Sequence, residues 1–316
     1  MLSHFSYFGD MSRSRNLTGF LAMGVVVVIW ASFALTIRAA GSSSLSSGDV
    51  ALLRFVVPSL LLLPVLPGTI RRMTSQRWYW TVLILIGGGF PFLLLVQLGG
   101  GMTSAAMVGT IPPGSIPIFI TLLGALMGTH FNGLRWLGVG LIVTGVVIAT
   151  QGSAAADPLG VTLLLTAGGV WSFYVLGVSK TGYRPLDIAV LLSVPSAAMV
   201  LVAWASGWVK VTLLSGTVLI SDVVFYAVVQ GVIIGICSTL LYSYAIGSIG
   251  AGRAALIGSA SPVLSTLGAI PLLGESPSVG TVICLALVSA GALTANLWGK
   301  TLPETPTRSR LRVKTV

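Results

Sequence analysis

Two stretches of the chain decide the fold: Ala106-Met-Val-Gly-Thr-Ile-Pro-Pro113 and Ala255-Leu-Ile-Gly-Ser-Ala-Ser-Pro262. They match at a constant shift of 149 residues, with alanine, glycine and proline in the same places. Each stretch lies in an apolar run long enough to cross the ~30 Å hydrocarbon core of a bilayer as a helix. The match indicates two related, membrane-embedded halves.

Two further matches follow the same order along the chain. In the first match, a glycine precedes a tryptophan by 11 residues, at Gly19 and Trp30 and again at Gly160 and Trp171. In the second, Asp49 and Asp187 each begin a segment that contains Val-Pro-Ser. The chain is therefore interpreted as a tandem duplication of five apolar segments. Because five is odd, the second copy enters the membrane from the opposite side. Transporters use such inverted repeats to build a midplane site that opens alternately to each side.

The predicted fold class is an all-α integral membrane protein with ten transmembrane helices, arranged as two inverted five-helix repeats. The repeats cover 19–150 and 158–298, between an N-terminal tail at 1–18 and a basic C-terminal tail at 299–316. The predicted spans are 19–39, 48–67, 78–98, 102–127, 134–150, 158–179, 186–206, 222–246, 254–274 and 278–298.

The composition excludes a soluble domain, because 55% of the residues are hydrophobic and only 8% are charged, against about 25% charged in soluble domains. The net charge of +10 comes from basic residues in short loops and tails. They form no continuous basic face with stacking aromatics, so no nucleic-acid partner is predicted. The bilayer and a small-molecule substrate are the expected partners, and both monomer and homodimer stay open.

The basic residues orient the chain. If the N-terminus is cytoplasmic, 14 of the 17 lysines and arginines fall on the cytoplasmic side, as the positive-inside rule requires. The apolar run from Gly19 has no cleavage pattern and is interpreted as a retained signal anchor. The prediction is a multi-pass protein of the cell inner membrane with both termini in the cytoplasm.

Residues 250–294, together with Trp30-Ala-Ser-Phe, Leu53-Arg54-Phe55 and Met102-Thr-Ser-Ala-Ala, resemble the EamA-type transporters of the drug/metabolite transporter superfamily. The resemblance implies ten helices and movement of small organic molecules, frequently outward across the inner membrane. Amino acids or related metabolites are the substrates suggested by the family and by the paired tryptophans. The chain departs from the family at Gly128-Thr-His, where Gly-Glu is frequent, whereas Gly274-Glu275 retains the acidic residue.

The repeat-related Trp30 and Trp171 precede Ser32 and Ser172, and all four are candidates to line an amphipathic cavity. The alternative is that both tryptophans only pack against neighbouring helices. Lower-ranked cavity candidates are polar tips on apolar helices, each of which needs a hydrogen-bond partner in lipid. They are Gln97, Tyr174, Tyr242 and Tyr244. The repeat-related Pro113 and Pro262 are candidate hinge or cavity-lining residues, with a purely structural role as the alternative.

Arg54 lies about 9 Å into its predicted segment, at 1.5 Å per residue. A charge at that depth must face a partner, a cavity or the interface. Arg54 is thus a candidate anchor for a carboxylate-bearing substrate, or a gate. The alternative is an arginine that extends to the interface or pairs with Asp49.

The sequence offers no cofactor, no metal site and no catalytic set. Only seven acidic residues exist, and none is paired at helical spacing, which argues against the alternative of a membrane-embedded lipid-modifying enzyme. A multidrug efflux carrier is another. The span centres contain no carboxylate, which favours uniport or exchange, or coupling through a carboxylate at a helix end, over a buried acidic proton switch.

Overall fold

The structure, a computed structural model, describes residues 3–152 and 157–299, and the side chains of these residues other than 3–15, 151–152, 251–252, 255–256 and 298. The α-helices are α1 (Ser3–Ala39), α2 (Ser47–Leu61), α3 (Leu66–Met73), α4 (Trp78–Gly88), α5 (Phe90–Gly101), α6 (Ala105–Leu126), α7 (Gly133–Gly152), α8 (Pro158–Ser179), α9 (Pro185–Ala205), α10 (Ile220–Tyr226), α11 (Ser238–Ile249), α12 (Ala251–Gly258), α13 (Ser261–Leu273) and α14 (Val279–Leu293). A π-helix at Ala227–Cys237 joins α10 to α11, and a second at Thr294–Trp298 extends α14. The predicted C-terminal tail lies, from residue 300 onward, outside the described residues.

Within the described residues, eight helices are long and apolar enough to cross a membrane, and the bent pair α2–α3 adds a ninth. The eight are Asn16–Ser42, Trp78–Gly101, Ala105–Leu126, Gly133–Thr150, Pro158–Ser179, Pro185–Ala205, Ile220–Ile249 and Val279–Leu297. The remaining apolar helix, α13, is shorter and follows α12 after a break at Ser259 and Ala260. The protein is therefore an all-helical membrane bundle.

Three predicted spans are interrupted. The span at 48–67 bends by 55° between α2 and α3, around Pro64. The span at 78–98 breaks at Gly89, ahead of Pro91, and the span at 254–274 breaks ahead of Pro262. Proline removes a backbone donor and disfavours helical geometry in the residue before it. The three prolines inside α6 do not interrupt that helix, which packs along α8, α13 and α14.

The bundle has two ends, which we name after an acidic residue at each. At the Glu275 end, the side chain of Glu275 lies between Arg38, near the end of α1, and the backbone nitrogen of Ala105, at the start of α6. At the Asp187 end, the start of α9 meets α3. Because α2 follows α1, Asp49 lies at the Glu275 end.

Asp49 and Asp187, which the repeat aligns, fasten the two ends in the same way. Asp49 forms a capping box with Ser46 and accepts hydrogen bonds of 2.8 and 2.5 Å from the backbone nitrogen and hydroxyl of Thr212. Asp187 is fully buried, caps α9, accepts a 2.7 Å bond from Thr69 and forms an ion pair with Arg72. Each carboxylate accepts hydrogen bonds from donors at the N-terminus of its own helix. Each also bonds to a connecting segment of the other half and so holds that segment against the helix.

The close packing of α7 on α14 depends on glycines. A Cβ on Gly138 would lie 2.6 Å from the carbonyl oxygen of Gly291 and 2.7 Å from the backbone nitrogen of Ala295. Membrane helices use such small residues to bring backbones together. On the exposed face of α7, a Cβ on Gly140 would meet nothing within 4 Å.

We expect Gly138→Val to destabilise the protein by about 3 kcal/mol, because the added atoms force the two backbones apart. Gly140→Val makes the same chemical change on the same helix without a neighbour and serves as the control. The measurement is the thermal unfolding of both variants in detergent. Equal melting temperatures would contradict the described α7–α14 contact.

Candidate functional site

Two adjoining cavities lie between the helices of the two halves. The first, of about 150 Å³, is lined by seven aromatic side chains, by aliphatic and small residues, and by Arg54. The second, of about 370 Å³, is lined mainly by α6, α12, α13, and α14 with its π-helical extension. They share five lining residues, which are Trp30, Pro113, Ile116, Val175 and Tyr242. The two cavities therefore meet at Trp30 and Tyr242.

The aromatic wall of the first cavity is a chain of ring contacts. The ring centre of Trp30 lies 6.2 Å from that of Trp171, in an edge-to-face arrangement, and 5.0 Å from that of Tyr242. The ring centre of Phe92 lies 4.9 Å from that of Trp171 and 6.5 Å from that of Phe33. Edge-to-face and offset pairs at these distances are attractive. The repeat-related tryptophans thus form a surface suited to flat or apolar solutes.

Arg54 lies at the Phe33 side of this wall. Its Cζ is 4.8 Å from the centre of the Phe33 ring, within the range of a cation–π contact. Its Nη1 donates a 2.7 Å hydrogen bond to Oε1 of Gln230. Gln230 is fully buried in the π-helix and donates through Nε2 to the hydroxyl of Thr36 at 2.7 Å. π-helical turns are frequent at functional sites, and this one holds the residue that orients the arginine.

The predicted pairing of Arg54 with Asp49 does not occur. The Asp49 carboxylate is occupied by Ser46, Thr212 and the backbone nitrogen of Leu213. Arg54 instead lines the first cavity, and its role as an anchor or a gate stays a prediction.

The second cavity reaches from the shared centre toward the Asp187 end. Its walls are largely apolar, with Ser289 and Asn296 among the polar residues on α14 and its extension. The Ser289 hydroxyl is buried and has no hydrogen-bond partner within the described residues. Pro113 lines both cavities from inside the continuous α6, and Pro262 lines the second from the first turn of α13.

The Glu275 end is closed over the first cavity. A Cβ on Gly109 of α6 would overlap the Ser265 side chain of α13 and lie 3.4 Å from Cβ of Ala34 on α1. Glu275 adds a 2.7 Å ion pair to Arg38 and a 2.8 Å hydrogen bond from the Ala105 backbone. Three helices therefore meet tightly between the first cavity and this end.

The repeat-related partner of Gly109 is Gly258, at the shift of 149 residues. A Cβ on Gly258 would meet only the ends of two side chains, Met23 at 3.2 Å and Trp30 at 3.3 Å, and Gly258 lines the second cavity. Equivalent glycines thus lie in a closed contact at one end and in an open cavity at the other.

Six predicted site residues meet here: Trp30, Arg54, Trp171, Tyr174 and Tyr242, with Pro113. Four others are not among the residues that line either cavity. Ser32 and Ser172 donate to carbonyls of their own helices, at Val28 and Gly168. Gln97 donates to the carbonyl of Ser47, at the Glu275 end, and the hydroxyl of Tyr244 lies 2.8 Å from that of Thr18.

The sequence analysis missed Phe33, Phe92, Gln230 and Asn296. Gln230 carried a usable signal, because it is an amide in the middle of a predicted span. The phenylalanines carried none, since an aromatic residue in an apolar run has the same pattern whether it faces lipid, a neighbouring helix or a cavity.

The sequence model of the EamA-like transporter family matches residues 17–151 and again residues 158–297. The chain belongs to this family. The EamA-like match covers both predicted repeats, so the resemblance stated from the sequence is confirmed, and the chain is a membrane transporter of the drug/metabolite type.

Two individual proteins are similar to this EamA-like chain. An uncharacterized protein of Pseudomonas aeruginosa, PA1977, is 27% identical over 230 residues, which cover 71% of this chain and 75% of that protein. A solved protein crystal structure superposes with a TM-score of 0.56 at 19% identity, covering 90% of this chain and 97% of the other. The second likeness supports the fold.

Proposed function

We propose that the protein moves small organic metabolites, amino acids or related compounds among them, out of the cell by alternating access at the central cavity between the two repeats. In this proposal α12 and α13 together form a tenth crossing, and the two five-helix repeats face opposite sides of the membrane. The observation that carries the proposal is the pair of adjoining cavities, accessible toward the Asp187 end and closed at the Glu275 end.

The contrast between Gly109 and Gly258 supports alternating access. In an inverted repeat, the two glycines exchange environments when the opposite end closes, because each occupies the same position in its own half. In the opposite conformation, the tight contact at Gly109 opens into a cavity, and the cavity at Gly258 closes into a tight contact.

Charge supports the orientation. The Asp187 end carries Arg71, Arg72, Lys180 and Arg184 in its connectors, whereas the connectors of the Glu275 end carry Lys210. By the positive-inside rule the Asp187 end faces the cytoplasm, and both termini do as well. The cavity then receives solutes from the cytoplasm, as an exporter requires.

The coupling proposed is uniport or exchange. All five acidic side chains in the described part of the chain lie near helix ends, and none lines either cavity. A proton carried across the membrane needs an ionisable group on the transport path, and the cavities supply no carboxylate for that role.

The test is counterflow in proteoliposomes loaded with unlabelled amino acids, organic acids, nucleosides, sugars or cationic drugs. We expect at least one solute class to drive transient accumulation of its radiolabelled form without a pH gradient, and protein-free liposomes to show none. Failure of every class would contradict transport of small metabolites. Exchange that required a pH gradient would contradict the coupling.

A further inference from the structure

We propose that the substrate is an organic anion, a carboxylate on an apolar or aromatic body, and that Arg54 binds its carboxylate in the first cavity while Gln230 positions the guanidinium. This inference rests on the proposed transport function and adds the substrate class. The juxtaposition that carries it is a half-buried cation beside a continuous aromatic wall.

The first step is that Arg54 has no counterion within the described protein. Seven acidic residues exist in the chain, and two of them, Asp10 and Glu304, fall where no side chain is described. The other five are bonded elsewhere: Asp49 to Thr212, Asp157 to the backbone of Leu159, Asp187 to Arg72, Asp222 to Ser44, and Glu275 to Arg38. A cation at this depth without a counterion is costly, so it stabilises an anion that enters the cavity.

The second step is the geometry of the guanidinium. Arginine presents five donors in a planar fork that matches a carboxylate. Only one of these donors is used by a described residue, the bond from Nη1 to Gln230. Because Gln230 is itself fixed by Thr36 and the Phe33 ring covers one face of the guanidinium, the fork is preorganised. The remaining donors are available to a ligand in the cavity.

The third step concerns the rest of the ligand. Next to Arg54 the cavity wall is the ring chain Phe33, Phe92, Trp171 and Trp30. This wall favours an apolar or aromatic body of small size. A cationic group would be repelled by Arg54 and would find no carboxylate among the described lining residues. The site therefore selects for negative charge at one end and apolar surface at the other.

The test measures binding to the purified full-length protein by titration calorimetry with three matched probes: 3-phenylpropionate, 3-phenyl-1-propanol and 3-phenylpropan-1-amine. We expect wild-type protein to bind the anion about 10- to 100-fold more tightly than the alcohol, the range for a charge-assisted hydrogen bond, and to bind the amine least. Arg54→Gln should remove the preference for the anion. Arg71→Gln removes one positive charge at an exposed position of α3 that lines neither cavity, and it should retain the preference.

Equal binding of acid and alcohol by the wild type, or tighter binding of the amine, overturns the inference. If Arg54→Gln does not fold, the wild-type order of the three probes decides alone, and Arg54→Lys tests whether the fork as well as the charge is needed. L-phenylalanine is a fourth, zwitterionic probe. Tighter binding of L-phenylalanine than of 3-phenylpropionate would contradict a site for simple anions.

Counterflow of the same probes separates this inference from the proposed function. Exchange of the amine or alcohol alone contradicts the anion site while transport stands. Tight binding of 3-phenylpropionate that depends on Arg54, with no exchange of any solute, contradicts transport while the anion site stands.

Discussion

Replacing Gly258 with leucine should reduce counterflow to the level of protein-free liposomes while the protein remains folded. The new side chain would enter the second cavity beside Trp30, where the two cavities meet. Its first carbon meets only the ends of the Met23 and Trp30 side chains, so the backbone can accept it. The lost space is the path between the Asp187 end and the aromatic wall.

The control for this variant is Gly247→Leu, at an exposed position of α11 where a Cβ would meet nothing within 4 Å. Counterflow should be retained there. Thermal unfolding of both variants separates a blocked path from a damaged fold. Normal exchange by a folded Gly258→Leu protein would show that solutes do not pass the second cavity.

Gly109→Leu should shift the protein toward the conformation that is open at the Glu275 end. The added side chain overlaps Ser265 and crowds Ala34, so it acts as a wedge in the closed contact between α6, α13 and α1. Overpacking of this kind costs about 2 kcal/mol, which corresponds to a change of about 30-fold in the equilibrium between the two conformations.

The measurement for Gly109→Leu is labelling of a cysteine introduced at Ser238, which lines the first cavity, in a protein whose two native cysteines are replaced by alanine. An impermeant thiol reagent applied from the Glu275 end should label the Gly109→Leu protein and leave the parent protein almost unlabelled. Gly101→Leu, on the exposed end of α5 with nothing within 4 Å, is the control and should behave as the parent. Equal labelling of all three would contradict the closed contact.

The repeat explains how much of the architecture was predictable. Matched positions such as Asp49 and Asp187 carry the same local chemistry, because each caps a helix and binds a connector from the other half. Trp30 and Trp171 were found for the same reason and do meet, at 6.2 Å. In an inverted repeat, matched residues near the midplane, such as these two tryptophans, can meet, whereas matched residues near helix ends, such as Asp49 and Asp187, lie at opposite ends of the bundle.

What the sequence could not predict depends on helix rotation and register. Ser32 and Ser172 follow the tryptophans along the chain, yet at about 100° per residue the side chain after a cavity residue points to another face of the helix. Their hydroxyls consequently bond to their own helices. Likewise, Arg54 and Gln230 are 176 residues apart in the sequence, so no local pattern predicts their contact.

The ion pair between Arg38 and Glu275 has a consequence for the resting protein. The first repeat has Thr129 after Gly128 where the second has Glu275 after Gly274, so the position equivalent to Glu275 at the other end of the bundle carries no acidic residue. If the two halves were identical, the two conformations of the empty carrier would be equally populated. In the proposed alternating-access cycle, we expect the imbalance of up to about 1 kcal/mol for a partly exposed pair to bias the empty carrier, by up to about fivefold, toward the conformation whose cavity is accessible from the Asp187 end.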